Sequence, residues 1–398
     1  MRAAIARRPR NNCCPGFVVS EIPLSLYLHF PWCVRKCPYC DFNSHGLRGE
    51  IPEDAYVAAL IRDLDFELAL AAEVRPLTSI FMGGGTPSLF SGRALARVLE
   101  AAAARLVFAP DIEITLEANP GTVDAAHFRE YRAAGINRLS IGVQSFDETH
   151  LKRLGRIHGH DEAVNAFHTA RAAGFDNINL DLMFALPLQT EVEAAADLHA
   201  AFALAPEHLS YYQLTLEPNT EFAARPPILP DDDAAWTMQQ SGQALLAGQG
   251  YDQYEVSAYA RPGRQSRHNR NYWQFGDYLG IGAGAHGKRT FAGRIGRRAR
   301  HKHPRLYLEQ AGSAAAIQED RRVATAELPF EFTMNALRLN EGFTPALYEM
   351  RTGLKLESLR ATLTKAAARG LIEQDVLGVR ATALGRAHLN TLLGEFLE

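Results

Sequence analysis

Residues 25–40 read Ser25-Leu26-Tyr27-Leu28-His29-Phe30-Pro31-Trp32-Cys33-Val34-Arg35-Lys36-Cys37-Pro38-Tyr39-Cys40. A short apolar run is followed at once by three cysteines in a Cys-x3-Cys-x2-Cys loop. Three thiolates at this spacing fit three corners of a [4Fe–4S] cube, because such clusters are held by cysteine thiolates. The fourth iron is then free to take a small chelating molecule. Zinc would ask for four ligands in paired sets. A disulfide scaffold would ask for an even count in a short secreted chain. The segment therefore reads as a first strand emptying into a cluster loop.

Outward from that loop, β-branched runs alternate with Ala/Leu-rich helical stretches as far as residue 215. Strands are expected at 25–30, 79–83, 112–117, 138–143, 177–182 and 208–214. Helices are expected at 54–74, 91–107, 124–134, 160–173 and 190–204. Pro52-Glu53-Asp54, Ser91 and Asp161 mark helix starts, and Gly135 and Gly174 mark helix ends. Six β/α units with short connections predict a parallel sheet, either doubly wound or curled into a barrel. In both, ligands gather at the carboxyl ends of the strands. The strand ends here are the cysteine loop, Gly83-Gly84-Gly85-Thr86-Pro87, Glu117 before Asn119-Pro120, Gln144-Ser145, and Asp181. Five polar or glycine-rich ends at one rim predict one shared site.

The triple glycine lets a polar group approach the backbone, since no Cβ stands in the way. It lacks the Lys-Ser/Thr of a phosphate loop and the Gly-x-Gly-x-x-Gly of a dinucleotide fold. Backbone carbonyls and Thr86 would hold an ammonium chelated to the open iron. Glu117 and Asp181 would accept hydrogen bonds from ribose hydroxyls or an ammonium, and Arg156 would pair with a carboxylate. An amino acid joined to a nucleoside meets these demands, and S-adenosylmethionine is such a molecule. Its reduction by one electron is chemistry the cofactor carries while the protein orients it.

These motifs, with Tyr27-Leu28-His29-Phe30-Pro31-Trp32-Cys33, Cys37-Pro38-Tyr39-Cys40, Leu116-Glu117-Ala118-Asn119-Pro120, Ser140-Ile141-Gly142-Val143-Gln144-Ser145 and Asn179-Leu180-Asp181-Leu182, resemble the radical S-adenosylmethionine family. Within it they resemble the oxygen-independent coproporphyrinogen III oxidase group, over residues 24 to about 390. The resemblance implies an α/β fold, a partial (β/α)6 TIM-like barrel with a small C-terminal helical, winged-helix-like domain. It implies cluster ligands Cys33, Cys37 and Cys40. It implies cofactor contacts from Tyr27, Tyr39, Gly84, Gly85, Thr86, Glu117, Gln144, Arg156 and Asp181, with Thr215 at a loosely aligned sixth strand. Ala185 stands where the family usually has Gly before Leu-Pro.

One departure separates the branches. The decarboxylating oxidase has a further cysteine two residues after the third; this chain has Phe42. The run His268-Asn269-x-x-Tyr272-Trp273 is similar to that of the haem-chaperone branch, which implies haem as cargo, haem-requiring respiratory acceptors and an electron donor for the cluster. No catalytic residue is assigned. His268, with Asn269 and Tyr272, is the candidate haem site, an imidazole ligand beside aromatic contact from Tyr272 and Trp273. The alternative is a polar loop packed near the barrel mouth.

The chain has 398 residues, net charge −3, 47% hydrophobic and 22% charged residues. That size asks for two or three domains. The expected units are a disordered basic tail 1–22, a barrel core 23–230, an extension 231–320 carrying the haem segment, and a C-terminal unit 321–398. The near-neutral charge argues against nucleic acid as a partner, and no apolar run reaches a membrane span. Contact with membrane partners would then be peripheral. The Arg-rich tail reads as disordered rather than as a presequence, with Cys13 and Cys14 as idle thiols. Clustered cysteines indicate a reducing cytoplasm. The basic segment 294–305 reads as a solvated loop. The C-terminal unit, with a Leu356–Ala368 helix and a wing near 371–382, reads as a packing or lid domain, since no helix gathers basic residues.

Overall fold

The computed structural model describes residues 21–70, 73–291 and 293–397. The basic tail with Cys13 and Cys14 lies outside the described residues.

Six parallel strands alternate with helices: β1 (Leu24–Phe30), β2 (Leu77–Gly84), β3 (Phe108–Ala118), β4 (Arg138–Gln144), β5 (Ile178–Phe184) and β6 (His208–Gln213). Between them run α1 (Glu53–Leu70), α2 (Gly92–Ala103), α3 (Ala125–Ala133), α4 (Glu148–Arg153), α5 (His160–Ala172) and α6 (Glu191–Leu204). The strands lie side by side in chain order, without the reversal of a doubly wound sheet. The sheet is therefore wound in one sense, as in a barrel. Strands such as β1 are buried at almost every residue, because helices on one face and the barrel interior on the other exclude water.

Local chemistry sets the helix starts. Ser91, Asp124 and Asp147 accept hydrogen bonds from first-turn amides of α2, α3 and α4. Thr190 and Glu193 form a reciprocal capping box at α6. Each such cap stabilises its helix by about 1 kcal/mol. At α5 the cap is Gly159, two residues before the expected Asp161.

The sheet does not stop at six strands. Beyond β6 follow β7 (Asp252–Gln253) and β8 (Ala258–Ala260), both antiparallel. On the other edge, β9 (Asp277–Ile281) pairs parallel to β1, and β10 (His286–Phe291), β11 (Arg294–Arg300) and β12 (Ile317–Arg322) continue antiparallel. Two sequence expectations are corrected here. The strand-like 254–257 is an irregular turn with one isolated bridge, Glu255 to Leu339, because the pairing lies at 258–260 instead. The basic segment 294–305 is not a solvated loop. Its first half is β11, and Arg300 is 1% exposed, buried against Asp63 and Glu67 of α1. Burial of a charge is tolerable only when it is paired, and here two carboxylates pair it.

The C-terminal unit has its own apolar cluster, including Phe332, Phe343, Tyr348, Leu363 and Leu392, which also takes in Phe275 and Ile295 from the sheet extension. A helix Arg360–Ala368 precedes a hairpin of Ile372–Gln374 with Val379–Ala381, the expected wing.

Candidate functional site

The carboxyl ends of the parallel strands surround a cavity of about 310 Å³, lined among others by Cys33, Cys37 and Cys40. Among the described residues the three thiols form no disulfide, and they are half-buried. Burial raises the pKa of Cys33 and Cys40, against hydrogen bonds from Thr86 and Ser44. Among the described residues no three His, Cys, Asp or Glu side chains converge as around a single ion. All three cysteines line this one cavity.

The glycine run is built into the cysteine loop. Gly85 and Thr86 donate their amides to the carbonyls of Phe30 and Trp32, each at 2.7 Å. A Cβ on Gly85 would fall 2.6 Å from the Trp32 carbonyl oxygen. Gly84, at φ +107°, would drive its Cβ to 2.3 Å from the His29 ring. The glycines thus serve close backbone packing as well as access for a ligand, and Gly84 and Gly85 still line the cavity.

Opposite the thiols stands a polar wall. Glu117 accepts from the Gly84 amide at 3.1 Å. Burial, then the neighbouring Asp181, push its pKa from 4.5 to about 8. Asp181, also raised by burial, accepts from Asn179 at 2.8 Å and Ser140 at 3.1 Å. Among the described residues neither carboxylate has an ion-pair partner, so the wall suits a ligand bearing an ammonium or hydroxyls. Gln144 sits at φ +71°, where β4 departs from regular pairing, and takes the Tyr212 hydroxyl at 2.7 Å. Strained backbone of this kind persists where surrounding structure holds it, often at functional sites. Arg156 donates to the Gly142 carbonyl at 2.7 Å and lies 3.5 Å from Cys37 Sγ, while its Nε is buried without a partner among the described residues. The residues present therefore fit a cluster with an amino-acid nucleoside beside it.

The site makes a pH prediction. The carboxyl of Glu117 titrates higher in the fold than its ordinary 4.5. Its contribution to stability is whole below pH 4.5 and is lost as pH rises through 8. Denaturant titrations of the cluster-free protein between pH 4.5 and 9 should show this decline, flattened in Glu117→Gln. Parallel curves for the two proteins would refute it.

Of the expected residues, Tyr39, Gly84, Gly85, Thr86, Glu117, Gln144, Arg156 and Asp181 meet at this cavity. Thr215 does not: it is exposed and bonds Glu217 at 2.7 Å. The sixth strand contributes Ser210 and Tyr212 instead. Register was the signal for two residues the sequence reading missed. Ser140 pairs with Glu117, and Ser210 with Asp181, and residues paired across neighbouring strands share a face.

Tyr27 lines a second cavity, of about 380 Å³, which shares Phe42, Gly84 and Glu117 with the first. His268 and Tyr272 line it too, on the short helix Arg267–Trp273 rather than a loop. The His268 ring stacks on Phe81 at 4.5 Å, its Nδ1 has no partner among the described residues, and burial, then the charge of Arg138, lowers its pKa to about 4. It is a neutral imidazole. Asn269 lines neither cavity. Trp273 turns away to Tyr254, Ala258 and Leu339, with Arg338 over its ring, because a helix places adjacent residues on different faces. The aromatic residues that line the cavity beside Tyr272 are Tyr27, Phe81 and Tyr278.

Residues 27–201 match the Radical SAM superfamily, and residues 323–388 match the HemN C-terminal domain. The fold and the three-thiol rim thus define a radical SAM protein. A solved structure described as "Coproporphyrinogen III oxidase (HemN) from Escherichia coli is a Radical SAM enzyme" superposes with a TM-score of 0.80 at 26% identity, over 95% of this chain and 90% of that one. Heme chaperone HemW of Escherichia coli K12 is 52% identical over 94% of this chain and 98% of its own length. Heme chaperone HemW of Bacillus subtilis is 34% identical, over 94% and 99%. The chain belongs to the HemW family. Among the described residues no helix is long and apolar enough to cross a membrane.

Proposed function

We propose that this protein is a haem chaperone. It holds a [4Fe–4S] cluster on Cys33, Cys37 and Cys40, with S-adenosylmethionine against Glu117, Gln144, Arg156 and Asp181. It takes haem as cargo in the neighbouring cavity against His268, and passes it in the cytoplasm to haem-requiring acceptors such as respiratory proteins. One observation carries the reading: a chamber with three thiols and a chamber with a neutral imidazole share Phe42, Gly84 and Glu117 as a common wall. When bound, the cluster and its cofactor supply one-electron reduction of a sulfonium. The protein's part is to orient them, and to place the cargo a wall's thickness away. The names of the relatives support the same reading.

Coproporphyrinogen oxidation is the second reading, favoured by the likeness to the oxidase structure. Against it, Phe42 stands 59% exposed in place of the oxidase's fourth cysteine. Anaerobic incubation with coproporphyrinogen III, S-adenosylmethionine and reductant is expected to yield no protoporphyrinogen, while haem titration gives a saturable Soret band. His268→Ala should weaken or shift that band. Appreciable turnover would favour the oxidase, and an unaltered band would remove His268 from the haem site.

A further inference from the structure

Besides His268, the imidazoles of His29 and His286 line the haem cavity. His29 is engaged at both ring nitrogens, by the Tyr27 hydroxyl and the Asn43 carbonyl, each at 2.9 Å, which leaves His286. His286 opens β10, directly after the turn Gly282-Ala283-Gly284-Ala285, and its side chain lines the same cavity as His268. The turn is fixed to the segment that follows the cysteines. Asn43 donates to the carbonyls of Ala283 and Lys302, each at 2.9 Å, and its own carbonyl meets His29 Nε2 at 2.9 Å. Gly282 and Gly284, at φ +108° and +78°, could not carry a Cβ: it would strike the His29 carbonyl oxygen at 2.4 Å or Asn43 Nδ2 at 2.3 Å. The position of His286 is therefore dictated by backbone.

The two imidazoles enter from different parts of the sheet. His268 rests on Phe81 of β2, whereas His286 belongs to β10, with β9 and β1 between. Three strand spacings amount to about 14 Å, which leaves room for a flat ring between the two side chains. His286 is exposed to the cavity and has no hydrogen-bond partner among the described residues. Partial burial, then the charge of Lys302, hold its pKa below the usual value. Iron porphyrins accept an axial ligand on each face, and an open axial position is where dioxygen binds and is activated. A carrier is served by closing both faces.

Building on the haem-carrying reading above, we propose that His286 is the second axial ligand of the bound haem iron, on the face opposite His268. The test is anaerobic titration of ferric haem into the full-length, cluster-loaded protein, followed by absorption and EPR spectra. The wild type is expected to be six-coordinate and low-spin. His286→Ala is expected to retain one haem per chain and to become high-spin, with free imidazole restoring the low-spin signal. His286 is exposed, so the variant keeps its fold, and the cluster absorption reports on that. An unchanged low-spin spectrum in His286→Ala, or a high-spin wild type, would overturn the assignment while leaving haem binding in place. A wild type that takes up no haem would overturn both.

Discussion

Replacing Cys33, Cys37 and Cys40 together by alanine should leave a folded chain that binds no cluster. Anaerobic reconstitution is expected to load about four irons per wild-type chain and close to none in the variant. The reduced variant should show no cluster EPR signal. The fold should survive, because the thiols sit half-buried on a loop at the rim and contribute nothing to the apolar core of the barrel. Circular dichroism of the two cluster-free proteins should coincide. The thermal stabilisation that reconstitution gives the wild type should vanish, since a group that binds only the native state stabilises it by mass action. S-adenosylmethionine affinity should fall with it, the open iron being the expected anchor. Iron retained at wild-type level would move the metal elsewhere and dissolve the site described here.

Arg300→Ala should destabilise the protein by about 3–5 kcal/mol, the usual cost of removing one member of a buried charge pair. Arg300 Nε bonds Asp63 at 2.9 and 3.1 Å, and its Nη2 reaches Asp63 and Glu67. Asp63 and Glu67 are themselves 0% and 4% exposed. Without the guanidinium, Asp63 keeps the Tyr307 hydroxyl at 2.8 Å and Glu67 keeps Arg298 at 2.9 Å. These partners place the loss nearer the lower figure. Burial, outweighed by the two carboxylates, leaves Arg300 with a raised pKa, so the guanidinium stays charged throughout the accessible range. Urea unfolding at pH 7 reads the effect as a lower midpoint at constant slope. A loss under 1 kcal/mol would mean that Tyr307 and Arg298 suffice to hold the two buried carboxylates.

That ion cluster also shows where the sequence stops being legible. Six arginines and lysines within twelve residues look solvated when read in line, and nothing local says that Asp63, 237 positions away, will receive one of them. Thr215 lies off the cavity for a related reason: past the β6 strand end, parity no longer tells which side chain faces inward. Trp273 lies off the cavity of His268 because its segment is a helix, which turns neighbouring residues apart.

The sequence by itself determined the β/α alternation, the thiol triad and most of the polar rim. These depend on properties carried by neighbours in the chain: side-chain period, helix caps, glycine permissiveness and the fixed spacing of three cysteines. Only the tertiary structure decided between a doubly wound sheet and a barrel, extended the sheet to twelve strands among the described residues, and set His268 and His286 around one cavity. Strand order and long-range pairing are settled by the burial of whole faces against one another, a quantity summed over distant segments that no local pattern contains.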